Sequence, residues 1–253
     1  MDTWTGAMTM TGFRVGVRLA AGALSVGAIA SIAAGVAGGT RVGAQQPAPP
    51  APMPALLQGY RPVTDERLKR PEDGNWLMNR RTYDGWGFSP LGELTPSNVD
   101  RLQPVWSFAT GVPQGHEAPA LVNDGVMFVT TPQNQVVAID ARTGVLLWRY
   151  RSPAPPDVIT LHPTSRGVAL HGTKVYLART EAVLVALDAR TGKEVWSATV
   201  EDNRTGYYMS LAPLVADGKV MVGVSGGELG IRGFIAAFDL ETGKPVWKSY
   251  TVP

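Results

Sequence analysis

After Leu102 the chain reads as short apolar runs broken by turn residues. The runs cover residues 105–108, 126–129, 136–139, 146–148, 175–177, 183–187 and 220–224. Each has the length of a strand. Between them stand Asn123-Asp124-Gly125, Arg142-Thr143-Gly144, His171-Gly172, Arg190-Thr191-Gly192, Ala216-Asp217-Gly218 and Glu241-Thr242-Gly243, combinations suited to hairpins and short turns. Regular short strands with such turns predict an all-β sandwich, barrel or propeller.

A repeated phrase chooses among these. Ala138-Ile139-Asp140-Ala141-Arg142-Thr143-Gly144 ends in Leu147-Trp148, and the same spacing returns at Ala186 to Trp196 and at Ala237 to Trp247. The tryptophans are 48 and 51 residues apart, the length of one four-stranded propeller blade and too long for leucine-rich or tetratricopeptide units. An indole carries a large apolar area and one N–H that needs an acceptor. One per repeat therefore predicts a recurring contact between blades, and the phrase's aspartate is placed to accept from the turn amides.

Ahead of the repeats the pattern is weaker. Residues 45–58 form a proline-rich arm predicted to be extended and mobile, because proline joins neither helix interiors nor inner strands. Residues 62–70 carry a faint helical spacing. With the arm they make a lead-in over residues 45–73, and Trp76, Tyr83 and Trp86 gather around an Asp84-Gly85 turn. The repeat-bearing domain is expected over residues 74–253.

The first 44 residues read as an export signal: Arg14 and Arg18 precede an uncharged apolar run from Leu19 to Ala37, and Val42-Gly43-Ala44 supplies small residues before Gln45. A transmembrane anchor is the alternative reading of that run, but its Ala and Gly content and its small-residue end favour cleavage and no stable anchor. Without Arg14, Arg18, Arg41 and Asp2 the remaining chain holds 20 basic and 20 acidic residues. A neutral chain without a Lys/Arg cluster lacks the electrostatic footprint of a nucleic-acid binder. There is no cysteine, so disulfides and thiolate metal sites are excluded, and His116, His162 and His171 match no zinc spacing. Oxygen donors favour a hard cation such as calcium. The ordinary reading of each histidine is a buried, hydrogen-bonded side chain, with His116 also able to orient Glu117.

The repeated phrase resembles the tryptophan-docking motif of the eight-bladed quinoprotein alcohol dehydrogenases, which use pyrroloquinoline quinone (PQQ) and include the methanol dehydrogenase large subunit. Residues 83–91 (Tyr-Asp-Gly-Trp-Gly-Phe-Ser-Pro-Leu) and 98–106 are similar to that family's amino-terminal segment. So are three stretches between the repeats: residues 115–119, 165–169 and 225–233 (Ser-Gly-Gly-Glu-Leu-Gly-Ile-Arg-Gly). The resemblance runs from about Gly74 to the end and implies an eight-bladed propeller of which the first three blades are present.

It also implies a site. Glu228 would be a carboxylate ligand of the metal beside PQQ, calcium or a lanthanide. Arg166 would face the cofactor's carboxylates with a planar fork, and Ser210 and Glu117 would contact the cofactor. Ser225, Gly226 and Gly227 follow a strand, and small residues there leave backbone amides open to a flat anion. Arg232, in the same phrase, reads equally well as a structural salt-bridge partner. The implied setting is periplasmic, with a small alcohol as substrate and a cytochrome c as electron acceptor.

Two departures stand out. Where methanol dehydrogenase-like members carry adjacent cysteines over the quinone, this chain has Thr160 and Leu161. The second lies at Pro253, which follows only the third copy of the phrase. The family's catalytic aspartate, asparagine metal ligand and stacking tryptophan are expected beyond Pro253, so no catalytic residue is assigned here and a chain of this extent is expected to be inactive by itself. The competing readings are a non-catalytic scaffold, like the outer-membrane assembly lipoprotein with similar repeats, and a binding propeller that has lost its cofactor. The lipoprotein reading requires a lipid-bearing cysteine, which is absent.

Overall fold

The computed structural model describes residues 52–253. The export leader expected over residues 1–44 and the first part of the proline-rich arm lie outside the described residues. Three four-stranded antiparallel sheets follow one another, each a meander of consecutive strands. The first holds β1 (Leu121–Asn123), β2 (Val126–Thr131), β3 (Gln135–Asp140) and β4 (Leu146–Arg151). The second holds β5 (Val168–His171), β6 (Lys174–Arg179), β7 (Val183–Asp188) and β8 (Glu194–Thr199), and the third β9 (Leu214–Ala216), β10 (Lys219–Gly223), β11 (Phe234–Asp239) and β12 (Pro245–Tyr250). Neighbouring sheets meet through β2 and β5 and through β5 and β9.

The run lengths in the sequence follow from this stacking. Strands β3 and β7 are buried on both faces apart from a few positions, so they read as continuous apolar runs, whereas β8 and β12 are mostly exposed. The turn chemistry is as expected. Asp124 and Gly125 both take positive φ (48° and 86°), the conformation a two-residue hairpin needs.

The alanine, aspartate, glycine and tryptophan of the repeated phrase each have a geometric reason. Its alanine lies directly opposite its tryptophan in the ladder, at Ala138–Trp148, Ala186–Trp196 and Ala237–Trp247, and a bulge follows at the same place in each blade. A small residue there leaves room for the indole. The aspartate accepts from the turn amides: Asp188 from Arg190 and Thr191, Asp239 from Glu241 and Thr242, and Asp140 from Arg142.

The tryptophans dock forward. Nε1 of Trp106, Trp148 and Trp196 donates to the carbonyl of Ala141, Ala189 and Leu240 in the next phrase, at 3.1, 2.9 and 3.2 Å. Each indole lies against that phrase's glycine, Gly144, Gly192 or Gly243, which is in the left-handed region and has no room for a Cβ. Trp247, in the outermost described strand, stays 40% exposed.

Two expectations need correction. The arm is not wholly extended: Ala55–Gln58 form a short helix (α1) and Leu57 is fully buried. The prolines end at Pro54, ahead of the first helical residue, where a missing N–H costs nothing. A second helix, α2 (Asp65–Lys69), is capped by Thr64, whose hydroxyl accepts from the Arg67 amide. Tyr60, Val63, Leu68, Leu77 and Met78 join the same core, so residues 53–73 belong to the folded unit. Arg61, Arg67, Glu72, Asn75 and Asp124 pin this segment to the β1–β2 turn. Residues 105–108 are the second correction, since no described strand pairs with them. Side chains hold them to the first sheet, Trp106 by its indole and Phe108 under the Arg149 guanidinium 5.7 Å from its ring centre, with Val105 87% exposed.

Candidate functional site

Three separate stretches converge where the chain enters its sheets. A parallel bridge joins His116 to Ser165, the Arg166 amide donates to the Ser210 carbonyl at 3.0 Å, and an antiparallel bridge joins Tyr208 to Ser225. These backbone links bring Glu117, Arg166, Ser210 and Ser225 into one row, one contribution ahead of each sheet and a fourth from the end of β10.

Their side chains form a continuous polar chain. The Arg166 guanidinium bridges the Glu117 carboxylate (Nη2 to Oε2, 3.1 Å) and the Ser210 hydroxyl (Nη1 to Oγ, 2.6 Å), and the Ser210 and Ser225 hydroxyls lie 3.4 Å apart. Ser210 is buried, while Arg166 and Glu117 are about half open to solvent. A guanidinium has five donors in a rigid fork, and these contacts occupy only part of it. Arg166 can therefore receive a further anionic or carbonyl oxygen without giving up its partners.

The row continues into Gly226, Gly227 and Glu228. Gly226 has φ of 122°, and a Cβ there would come within 2.2 Å of the Gly206 carbonyl, so glycine is obligatory. Gly227 begins a one-turn 3₁₀ segment (Gly227–Leu229) with open space beside it. Glu228 stands exposed on that turn. Tyr208 is buried beneath, and burial raises its phenol above the ordinary range, with the Glu228 charge adding and the Arg166 charge opposing.

Residues 76–253 match the family described as PQQ, glucose/ethanol/alcohol dehydrogenase, beta-propeller domain. The chain belongs to this quinoprotein dehydrogenase family. It is 39% identical over 211 residues to the quinohemoprotein alcohol dehydrogenase ADH-IIG of Pseudomonas putida, covering 82% of this chain and 29% of that protein. It is 36% identical over 196 residues to a lanthanide-dependent methanol dehydrogenase of Methylacidiphilum fumariolicum, covering 75% and 32%. The solved structure of a europium-containing methanol dehydrogenase superposes with a TM-score of 0.69 at 36% identity, over 73% of this chain and 33% of that one. The chain thus spans about 30% of the length of the quinoprotein relatives it matches, and its three sheets are part of a propeller.

Within this quinoprotein frame several sequence expectations change. The Ser225 amide is not open to a ligand, because it donates to the Tyr208 carbonyl at 2.8 Å. His116 is exposed and does not orient Glu117: its Nε2 faces the Val112 carbonyl at 2.8 Å and the Thr110 hydroxyl at 3.2 Å. His162 is exposed as well, and half-buried His171 meets Asp65 at 3.1 Å. Arg232 makes no salt bridge among the described residues. It donates to the Val252 carbonyl at 2.9 Å and lies 4.0 Å from the Tyr250 ring centre. Thr160 and Leu161 sit in the loop before Arg166, with the Leu161 side chain in solvent.

The fit to the family's ligands is partial and specific. Arg166, Ser210 and Gly226 offer a cation, a hydroxyl and a close backbone approach, the donor set an anionic planar molecule requires. Glu228 offers one hard-oxygen donor, and among the described residues no three His, Asp or Glu side chains are grouped so as to hold a metal ion. The row from Glu117 to Ser225 thus gathers a carboxylate, a guanidinium and two hydroxyls in one line. Sequence reasoning missed Gly206, Tyr207 and Tyr208, which hold the Glu228 turn from below. Their only signal was the Gly-Tyr-Tyr run just ahead of Ser210.

Proposed function

We propose that this chain is the amino-terminal part of an exported, PQQ-dependent alcohol dehydrogenase of the periplasm. Glu117, Arg166, Ser210, Ser225, Gly226 and Gly227 contribute to holding PQQ, and Glu228 is one ligand of its metal, calcium or a lanthanide. The catalytic aspartate belongs to sequence beyond Pro253, so residues 1–253 alone do not turn over. One observation carries the reading: the Glu117–Arg166–Ser210–Ser225 chain is assembled from the segments ahead of three successive sheets and the end of β10, with its two ends more than 100 residues apart in sequence, as a site is and an ordinary turn is not. PQQ, when bound, is the two-electron acceptor for the hydride of an alcohol carbon. This chain's residues bind and orient it: Arg166 neutralises carboxylate charge, Ser210 fixes one edge, and Gly226 admits close approach. The lanthanide alternative is supported by a relative described as a lanthanide-dependent methanol dehydrogenase and by a similar solved structure described as europium-containing. A small alcohol is the substrate and a c-type cytochrome the electron acceptor.

The test uses the full-length protein, reconstituted with PQQ and either calcium or a lanthanide and assayed for dye reduction with short alcohols. Bound quinone and alcohol-dependent reduction are expected. Failure of both would exclude the enzyme and leave a non-catalytic propeller scaffold or a cofactor-free binding propeller.

A further inference from the structure

The turn that carries Glu228 is held by three consecutive residues that belong to no assigned site. Gly206, at φ of 99°, packs against the turn from below: its carbonyl lies under Gly226, and its α-carbon faces Leu229 and Ile231 so closely that a Cβ would stand 3.1 and 3.2 Å from them. The Tyr207 hydroxyl engages both polar atoms of one peptide position, accepting from the Arg232 amide at 3.3 Å and donating to the Arg232 carbonyl at 3.2 Å. The Tyr208 backbone pairs in both directions with Ser225. The Ser225–Arg232 loop is therefore gripped at its start, beneath its middle and at its end.

The grip is anchored in turn. Asn203 donates to the Tyr207 carbonyl at 2.7 Å and exchanges hydrogen bonds with Ile159 at 2.9 Å, while the Tyr207 ring packs on Phe234, 5.7 Å between centres. Glu228 itself is exposed, and no side chain among the described residues fixes it. Its position is set by the backbone of its turn alone.

We propose that Tyr207, with Gly206, is a positioning residue for Glu228, holding the turn in the one arrangement that presents the carboxylate to a hard trivalent or divalent cation. The inference rests on the reading of Glu228 as a metal ligand. A carboxylate on a loosely held turn would have to be ordered when the metal binds, and that ordering would weaken binding.

The experiment compares Tyr207→Phe and Glu228→Gln in the full-length protein with PQQ present, titrated with terbium(III) and followed by sensitised luminescence. Amide exchange across residues 226–232 and the PQQ dissociation constant are measured in parallel. Tyr207→Phe keeps the ring on Phe234 and removes only the hydroxyl. We expect it to weaken terbium binding about 10-fold and to speed exchange in the loop, with PQQ affinity changed less than about twofold. Glu228→Gln is expected to weaken terbium at least about 100-fold without speeding exchange. Gly206→Ala should reproduce the Tyr207→Phe pattern, because its Cβ would push on Leu229 and Ile231. Terbium affinity unchanged in Tyr207→Phe but lost in Glu228→Gln overturns the positioning role alone. Affinity unchanged in Glu228→Gln overturns the metal-ligand reading, and this inference with it.

Discussion

The indole of Trp148 lies so close to Gly192 that a Cβ on that glycine would stand 2.5 Å from the ring, while Nε1 donates to the Ala189 carbonyl at 2.9 Å. This contact joins the first sheet to the second, and Trp196 with Gly243 repeats it between the second and third. Gly192→Ala meets both an occupied space and a left-handed backbone (φ 68°), so it should cost about 2–4 kcal/mol in urea unfolding. Trp148→Ala should cost about 3–5 kcal/mol, because the side chain is buried and leaves a cavity. Trp247→Ala, at an exposed position in this chain, should change stability by less than about 1 kcal/mol. Equal losses for Trp148 and Trp247 would contradict docking as the source of the stabilisation.

The phrase behind these contacts was legible because its signals are local: a turn aspartate, a left-handed glycine and an indole at fixed spacing. Why it starts with alanine was not, since only the strand register puts Ala138 opposite Trp148. The α1 helix was hidden by its surroundings, as prolines up to Pro54 outweighed the four helix-compatible residues after them. Residues 105–108 have a strand's composition, but a ladder partner is a property of the fold and no described segment supplies one. Glu117, Arg166, Ser210 and Ser225 came from resemblance to the quinoproteins. Tyr207 was invisible because its hydroxyl meets the backbone of Arg232, and backbone contacts leave no trace in residue types.

Acid should loosen the lead-in segment before the sheets. The Arg67 guanidinium hydrogen-bonded to Glu72 holds that carboxyl down to about 2, and Arg61 lowers Asp124 in the same cluster. A carboxyl depressed in the folded state contributes stability that is present above its ordinary range, about 4.5, and is lost as pH falls toward about 2. With 39% of the Glu72 side chain in solvent, screening reduces the gain. Urea midpoints should therefore fall between about pH 5 and pH 2, and less steeply in Glu72→Gln. Parallel pH curves for the two proteins would rule out Glu72 as a source of the slope.

Asn134 ties the first sheet to the second away from the tryptophans. Its Nδ2 donates to the buried Glu181 carboxylate at 2.7 Å, and its Oδ1 accepts from the Thr180 amide at 2.8 Å, with φ of 54°. Asn134→Ala strains the backbone and leaves the Thr180 amide and Glu181 Oε2 without this partner, although Arg179 still pairs with Glu181 Oε1, and should cost about 2–4 kcal/mol. Asn134→Gly relieves the strain but not the lost hydrogen bonds, and should recover only about 1 kcal/mol of that. Full recovery by glycine would show that the bonds to Glu181 and Thr180 contribute nothing.

Arg166 divides the fork of its guanidinium between Glu117 and Ser210, a geometry that a lysine's single ammonium does not reproduce. Arg166→Lys preserves the charge, so it separates the need for a cation from the need for a planar donor set. Because the side chain is half exposed, the melting temperature of the full-length protein should move by no more than about 2 °C. PQQ binding should weaken by about 10- to 100-fold, the value of charge-assisted hydrogen bonds that a point charge makes less well. Arg166→Ala should weaken it further, since Glu117 would then face the cofactor's carboxylates without a cation between them. Equilibrium dialysis against PQQ measures both variants. A lysine variant that binds as tightly as the parent would mean that charge alone suffices, and the fork between Glu117 and Ser210 would then be a structural contact only.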